Sequence, residues 1–206
     1  MRVVLASGSP RREELLSALT SDFAVITSDV PEPLTDNAVA DAVTLARAKA
    51  LAVAATVSDA VVIGADTVVY DDLRLYGKPV DTDDAVAMLA RLQGRTHHVA
   101  TGIAVAARGE VHAGVSISEV TLNHLSYDTI TRYVASGRPL DKAGAYAIQD
   151  EDIPTVSELH GCYCGVMGLP LWLLREELRR IGSSAALPSA TYLRCAACPE
   201  RPAAPA

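Results

Sequence analysis

An aspartate stands inside a run that is otherwise apolar: Val61-Val62-Ile63-Gly64-Ala65-Asp66-Thr67-Val68-Val69-Tyr70. A Val/Ile segment of this kind, bounded by acidic turns, reads as a strand buried on both faces of a sheet. An ionised carboxylate left unpaired there is costly or shifts its pKa, so Asp66 belongs where the strand opens onto charge, metal or water. Gly64 lets the backbone bend or a ligand come close. Taken alone, the stretch is also compatible with a plain turn at Asp66-Thr67. A second stretch with chemical content is Ser7-Gly8-Ser9-Pro10-Arg11-Arg12. Ser9 can cap a helix whose first residue is Pro10, and the small-residue loop before it offers free N–H groups and a positive helix end to an anion. Arg11 and Arg12 in the first turn oppose the helix dipole, a conflict that a phosphate between them resolves. The alternative is a solvated pair neutralised by Glu13 and Glu14.

Other cations stand at restricted places. Arg47 and Lys49 are two residues apart in an alanine-rich helix and so face differently, which leaves one of them free to lean into a pocket. By itself Lys49 also reads as part of a solvated face. Lys78 is held between Gly77 and Pro79. Lys142 lies in the stretch from Arg138 to Asp150, dense in charge and small residues, where it either meets a ligand or pairs with Asp141. His97 and His98 are adjacent on a strand, point to opposite faces and cannot share one metal.

The elements that must carry these residues follow from periodicity. Short strands are expected at Arg2 to Ala6 and Phe23 to Thr27, with a proline-stiffened loop through Glu32 after the second. Asp36 or Asn37 caps a helix through about Val57. Beyond the central strand come a turn at Asp71-Asp72, a helix from about Thr82 to Leu92, and a long hairpin of Thr96 to Ala107 with Val111 to Leu122. A helix from Tyr127 to Ala135, a short hairpin around His160-Gly161 and a helix from Gly168-Leu169-Pro170 to near Ile181 complete the domain, residues 1–181. From Gly182 the Ala, Pro and Ser content predicts a mobile tail, 182–206.

With 206 residues, half of them apolar, the chain matches one domain or one two-lobed domain. A net charge of −7 argues against bulk nucleic-acid or anionic-membrane binding. No apolar run reaches about 18 residues, and the first strand turns polar at Ser7, too early for a signal-peptide core, so a cytoplasmic location is expected. The four cysteines are then thiols or metal ligands rather than disulfides.

Together these motifs resemble the Maf family of nucleoside triphosphate pyrophosphatases, in register from Val3 to about Leu174. The anchors are Ser7 to Arg12, the Lys49 helix, Gly64-Ala65-Asp66-Thr67, Gly77-Lys78-Pro79, Asp141 to Tyr146, Ile148-Gln149 and Gly168-Leu169-Pro170. The resemblance implies an α/β fold, an elongated mixed sheet flanked by helices in two lobes around a deep nucleotide cleft. It also implies release of pyrophosphate with a divalent metal (Mg²⁺ or Mn²⁺), Asp66 as catalytic base, and compatibility with a homodimer. In that setting Ser7, Ser9, Arg11, Arg12, Lys49, Lys78 and Lys142 meet the phosphates, while Glu32 and Asp66 contact the metal. Asp66, a weak base in water, orients a water already acidified by the metal. Arg12, Thr67 and Gln149 match the members that act on dTTP and UTP. The physical logic is that the Gln carboxamide complements the O4 and N3–H edge of uracil or thymine.

The chain departs from the family pattern at Arg138, Asp150 and Cys162-Tyr163-Cys164-Gly165, the first two bordering the expected pocket. Three other readings compete: a nucleotide-binding regulator of division without turnover, a pyrophosphatase for modified purine nucleotides, and a zinc module. The last would join Cys195-Ala196-Ala197-Cys198 to Cys162 and Cys164.

Overall fold

The computed structural model describes residues 1–150 and 152–203. Among these residues seven strands form one mixed sheet: β1 Arg2–Leu5, β2 Phe23–Val25, β3 Ala60–Tyr70, β4 Leu75–Tyr76, β5 Thr96–Ala107, β6 Glu110–Leu122 and β7 Val156–His160. The order is β2-β1-β3-β5-β6-β7, with β4 also on β3. β1 runs parallel to β2 and β3, and every pairing among β3, β5, β6 and β7 is antiparallel. The helices are α1 Pro10–Ser17, α2 Ala38–Ala54, α3 Thr82–Leu92, α4 Tyr127–Ala135, α5 Tyr163–Met167, α6 Leu171–Arg180 and α7 Pro188–Thr191. The β5–β6 hairpin turns at Arg108 and Gly109, both at positive φ (53° and 83°), the backbone that suits a tight hairpin.

The long strands thread two core clusters. Val61, Ile63 and Ala65 of β3 pack with α1, α5 and α6, while Val69 joins Leu89, Leu92, Ile130 and Tyr133 of α3 and α4. Asp66 and Thr67 lie between the two. The opposite face of the sheet carries α2, seated unusually close. A Cβ on Gly64 would lie 2.2 Å from the Ala46 carbonyl oxygen, and one on Gly102 would lie 2.2 Å from that of Ala42. Those glycines therefore admit a helix rather than a bend or a ligand.

Three expectations change. Asp66-Thr67 is no turn, because β3 runs unbroken through both residues. Residues after His160 form no hairpin: β7 pairs with β6, and the chain then enters α5. The segment after Gly182 lies against the domain through a few anchors that its composition conceals. Ala186 N–H donates to Leu19 O at 2.9 Å, Trp172 Nε1–H donates to Cys195 O at 2.9 Å, and Cys195 is 1 % exposed.

Candidate active site

The outer edge of β3 explains where a cleft can form. β1 pairs with it only as far as Ile63, and β4 begins only at Val69. Between those points no described residue pairs with the strand on that side, so the sheet is open at Asp66. Because neighbouring strand residues face opposite ways, Asp66 points towards α2 and Thr67 towards α1 and α5, and a gap in the sheet makes both reachable from one cavity. The chain leaving β1 is the Ser7–Arg12 loop, and the chain leaving β4 is Gly77-Lys78. The same interruption that opens the sheet thus brings cations to its two sides.

The cavity there measures about 500 Å³. It is lined by Ser7, Ser9, Arg11, Arg12, Glu32, Lys49, Asp66, Thr67, Lys78, Lys142 and Gln149, so the structure brings together every site residue expected from the sequence. Lys49 projects from the α2 face pressed onto Gly64, and its Nζ reaches Asp66 Oδ1 at 2.5 Å and Glu32 Oε1 at 2.6 Å. Lys49 and Asp66 are both buried. Buried ion pairs do little for stability, because desolvation offsets the attraction, so this arrangement reads as one kept for chemistry. Burial pushes the Asp66 carboxyl above its ordinary range, with Lys49 opposing the rise. At Glu32 burial also acts upwards, but the hydrogen bond and charge of Lys49, helped by Lys78 and Arg12, hold the carboxyl low.

Arg12 is fixed by three acceptors. Its Nε donates to Gly168 O at 2.9 Å, Nη1 to Ser7 Oγ at 3.2 Å and Nη2 to Thr67 Oγ1 at 3.2 Å. Burial lowers its pKa and Asp66 opposes this, yet a guanidinium stays charged. Ser9 occupies the first capping position of α1 but does not cap it through its side chain. Instead its N–H donates to Ser7 Oγ at 3.3 Å, leaving its hydroxyl without a hydrogen bond to any described residue. Arg11 and Lys142 both hold Asp141, at 2.8 and 2.6 Å, and Lys142 also donates to Arg138 O. Lys142 therefore makes the acid pairing foreseen as its alternative while still lining the cleft. Lys78 is exposed, with no ion pair to any described residue.

Glu32 and Asp66 offer carboxylate oxygens, the hard donors that Mg²⁺ and Mn²⁺ take, converging on a single ammonium. This donor set fits a divalent cation. Sequence reasoning missed Thr101, which faces Thr67 across the strand pair, shares a hydrogen bond with it at 3.0 Å and donates to Gly165 O at 2.7 Å. Its signal was a polar residue in the apolar run of β5. Tyr146 also lines the cavity, its hydroxyl 2.8 Å from Nε2 of His97. Burial keeps that imidazole neutral, with its pKa lowered to about 4.

The two departures expected to border the pocket turn away from it. Asp150 accepts from Tyr133 Oη at 2.5 Å, while Arg138 forks onto Asp152 at 2.7 and 2.9 Å and lies over the Tyr133 ring. Neither lines the cavity. Among the described residues nothing hydrogen-bonds the Gln149 carboxamide.

Comparison with known proteins adds the following. A family model described as Maf-like protein matches residues 2–181. A dTTP/UTP pyrophosphatase of Geobacter sulfurreducens is 46% identical over 186 residues, 88% of this chain and 97% of that protein. One from Acetivibrio thermocellus is 43% identical over 195 residues, covering 89% and 97% respectively. One from Aquifex aeolicus is 43% identical over 182 residues, covering 88% and 96%.

Proposed function

The chain belongs to the Maf family, and on that premise we propose that it is a nucleoside triphosphate pyrophosphatase converting dTTP and UTP to the monophosphate and pyrophosphate. The observation that carries this reading is the gap in the sheet at Asp66, where a buried carboxylate, its lysine and a set of cations from separate stretches share one cavity.

Hydrolysis between the α and β phosphates moves negative charge onto the leaving pyrophosphate, so catalysis is mainly charge placement. In this reading Asp66 accepts a proton from the attacking water. Its burial makes it a stronger base than an exposed aspartate, and Lys49 limits the rise that would otherwise leave it protonated. Arg12, held rigid by three acceptors, meets the phosphates without losing side-chain entropy at that moment. Arg11, Lys78 and Lys142 supply further charge, and the free Ser9 hydroxyl supplies a donor. Glu32 and Asp66 would hold a divalent cation, Mg²⁺ or Mn²⁺, which would supply Lewis acidity there. Gln149 reads the base edge with one donor and one acceptor.

The test is pyrophosphate release from a panel of canonical and modified triphosphates with Mg²⁺ or Mn²⁺. The expected result is the highest catalytic efficiency on dTTP and UTP. A best substrate carrying guanine or a methylated purine overturns the base assignment alone. Release from none of the panel overturns the enzyme.

A further inference from the structure

Cys162, Cys164, Cys195 and Cys198 lie in two stretches more than thirty residues apart, and the second falls outside the part of the chain that matches the family. All four are buried. The Cys164 and Cys195 sulfurs are 3.2 Å apart, and the Cys162 sulfur lies close to those of Cys164 and Cys198. The sulfurs of Cys162 and Cys198 and a Glu200 oxygen lie within 4.8 Å of one another. Isolated buried cysteines pack as small apolar groups. Three features are foreign to that role. The residues come as C-x-C and C-x-x-C pairs, and the two pairs meet in space. Cys162 Sγ also accepts the Gly165 N–H at 3.3 Å, a bond that suits a thiolate. Glu200, one of whose oxygens accepts from Ser116, has its other oxygen buried beside this cluster without a hydrogen-bond partner among the described residues.

We propose that Cys162, Cys164, Cys195 and Cys198 bind one zinc ion as four thiolates, fastening the segment after Gly182 to α5. Zinc takes such a set at about 2.3 Å per sulfur, which places the sulfurs about 3.8 Å apart in a tetrahedron. The Cys164–Cys195 pair and the Cys162–Cys198 pair would close around the one ion. Binding releases four protons from four thiols and changes no oxidation state. The product, four thiolates around Zn²⁺, carries two net negative charges. Cations stand near to offset them: Arg194 lies 4.2 Å over the Tyr163 ring, and Arg201 donates to Ala196 O at 3.0 Å. Glu200 lies outside the ligand set in this assignment.

The consequence is positional. α5 supplies Gly165 O to Thr101, and the turn after it supplies Gly168 O to Arg12. The ion thus secures the wall behind the phosphate side of the cleft without entering it.

The experiment is metal analysis of the full chain purified under reducing conditions without added metal, followed by exchange with Co²⁺. The expected result is one zinc per chain and, for the cobalt form, the intense visible bands and near-ultraviolet charge-transfer absorption of a tetrahedral tetrathiolate. Cys195→Ser with Cys198→Ser should lose the metal, become sensitive to limited proteolysis after Gly182 and melt roughly 5 °C lower. These substitutions lie outside the family-matched domain, so its circular dichroism reports whether that domain still folds. Glu200→Gln should keep the zinc. A reduced chain holding no zinc and taking none from solution, a Cys164–Cys195 disulfide, bound iron in place of zinc, or loss of zinc in Glu200→Gln with retention in a cysteine variant each overturns the assignment.

Discussion

The Asp66 corner and the cysteine cluster both take polar groups out of water, but they partner those groups differently. Asp66 and Glu32 share Lys49, and Arg12 is satisfied by three oxygens. At the cysteine cluster the partners are other thiols and the Gly165 N–H, and a Glu200 oxygen has no hydrogen-bond partner among the described residues. A buried group without a partner costs more than a hydrogen bond returns, which agrees with the zinc ion proposed for the second region. The lesson is that the Asp66 corner is preorganised by its own side chains, whereas the wall behind it is, in the proposal made above, fastened by a metal ion.

The sharpest way to break this contrast is Asp66→Asn, which keeps shape and removes the charge. A rate loss of about 10³-fold is expected with the fold intact, measured as pyrophosphate release from dTTP. Near-normal turnover would remove Asp66 from the mechanism. Arg12→Ala should follow at about 10²-fold, the scale of one preorganised charge contact, and a change under about threefold would make it a surface charge.

Lys49→Met sharpens the electrostatics. Asp66 must be ionised to accept a proton, so the rate falls as pH drops through its pKa, which burial has already raised. Removing Lys49 takes away the main influence holding that pKa down, so the acid limb of the pH–rate profile should move to higher pH. An unmoved or lowered limb would mean that Asp66 is not the group titrating. The smallest effect is expected at Asp150→Asn. Its carboxylate accepts from Tyr133 outside the cavity, so dTTP against CTP selectivity should hold within about twofold while the melting temperature falls slightly. A large change in base selection would return Asp150 to the pocket.

Much of this protein could be read along the chain. The helices Thr82–Leu92 and Tyr127–Ala135 end where their caps and glycines predict, since caps and apolar stripes act over three or four residues. The β5–β6 hairpin follows from alternation around Arg108-Gly109, and a carboxylate in an apolar strand announces Asp66 without any partner in view. Three things were settled only by tertiary structure. The register of β1 and β4 leaves the β3 edge open at Asp66, and no local pattern encodes where a neighbouring strand stops. Gly64 and Gly102 admit α2, which lifts Lys49 from a solvated-helix reading to a buried ion pair, a contact set by helix-to-sheet distance. The segment after Gly182 looks mobile by composition, yet Cys195 and Cys198 lie buried against α5. Composition averages over a segment, whereas a few well-placed side chains are enough to hold it, and their partners are distant in sequence.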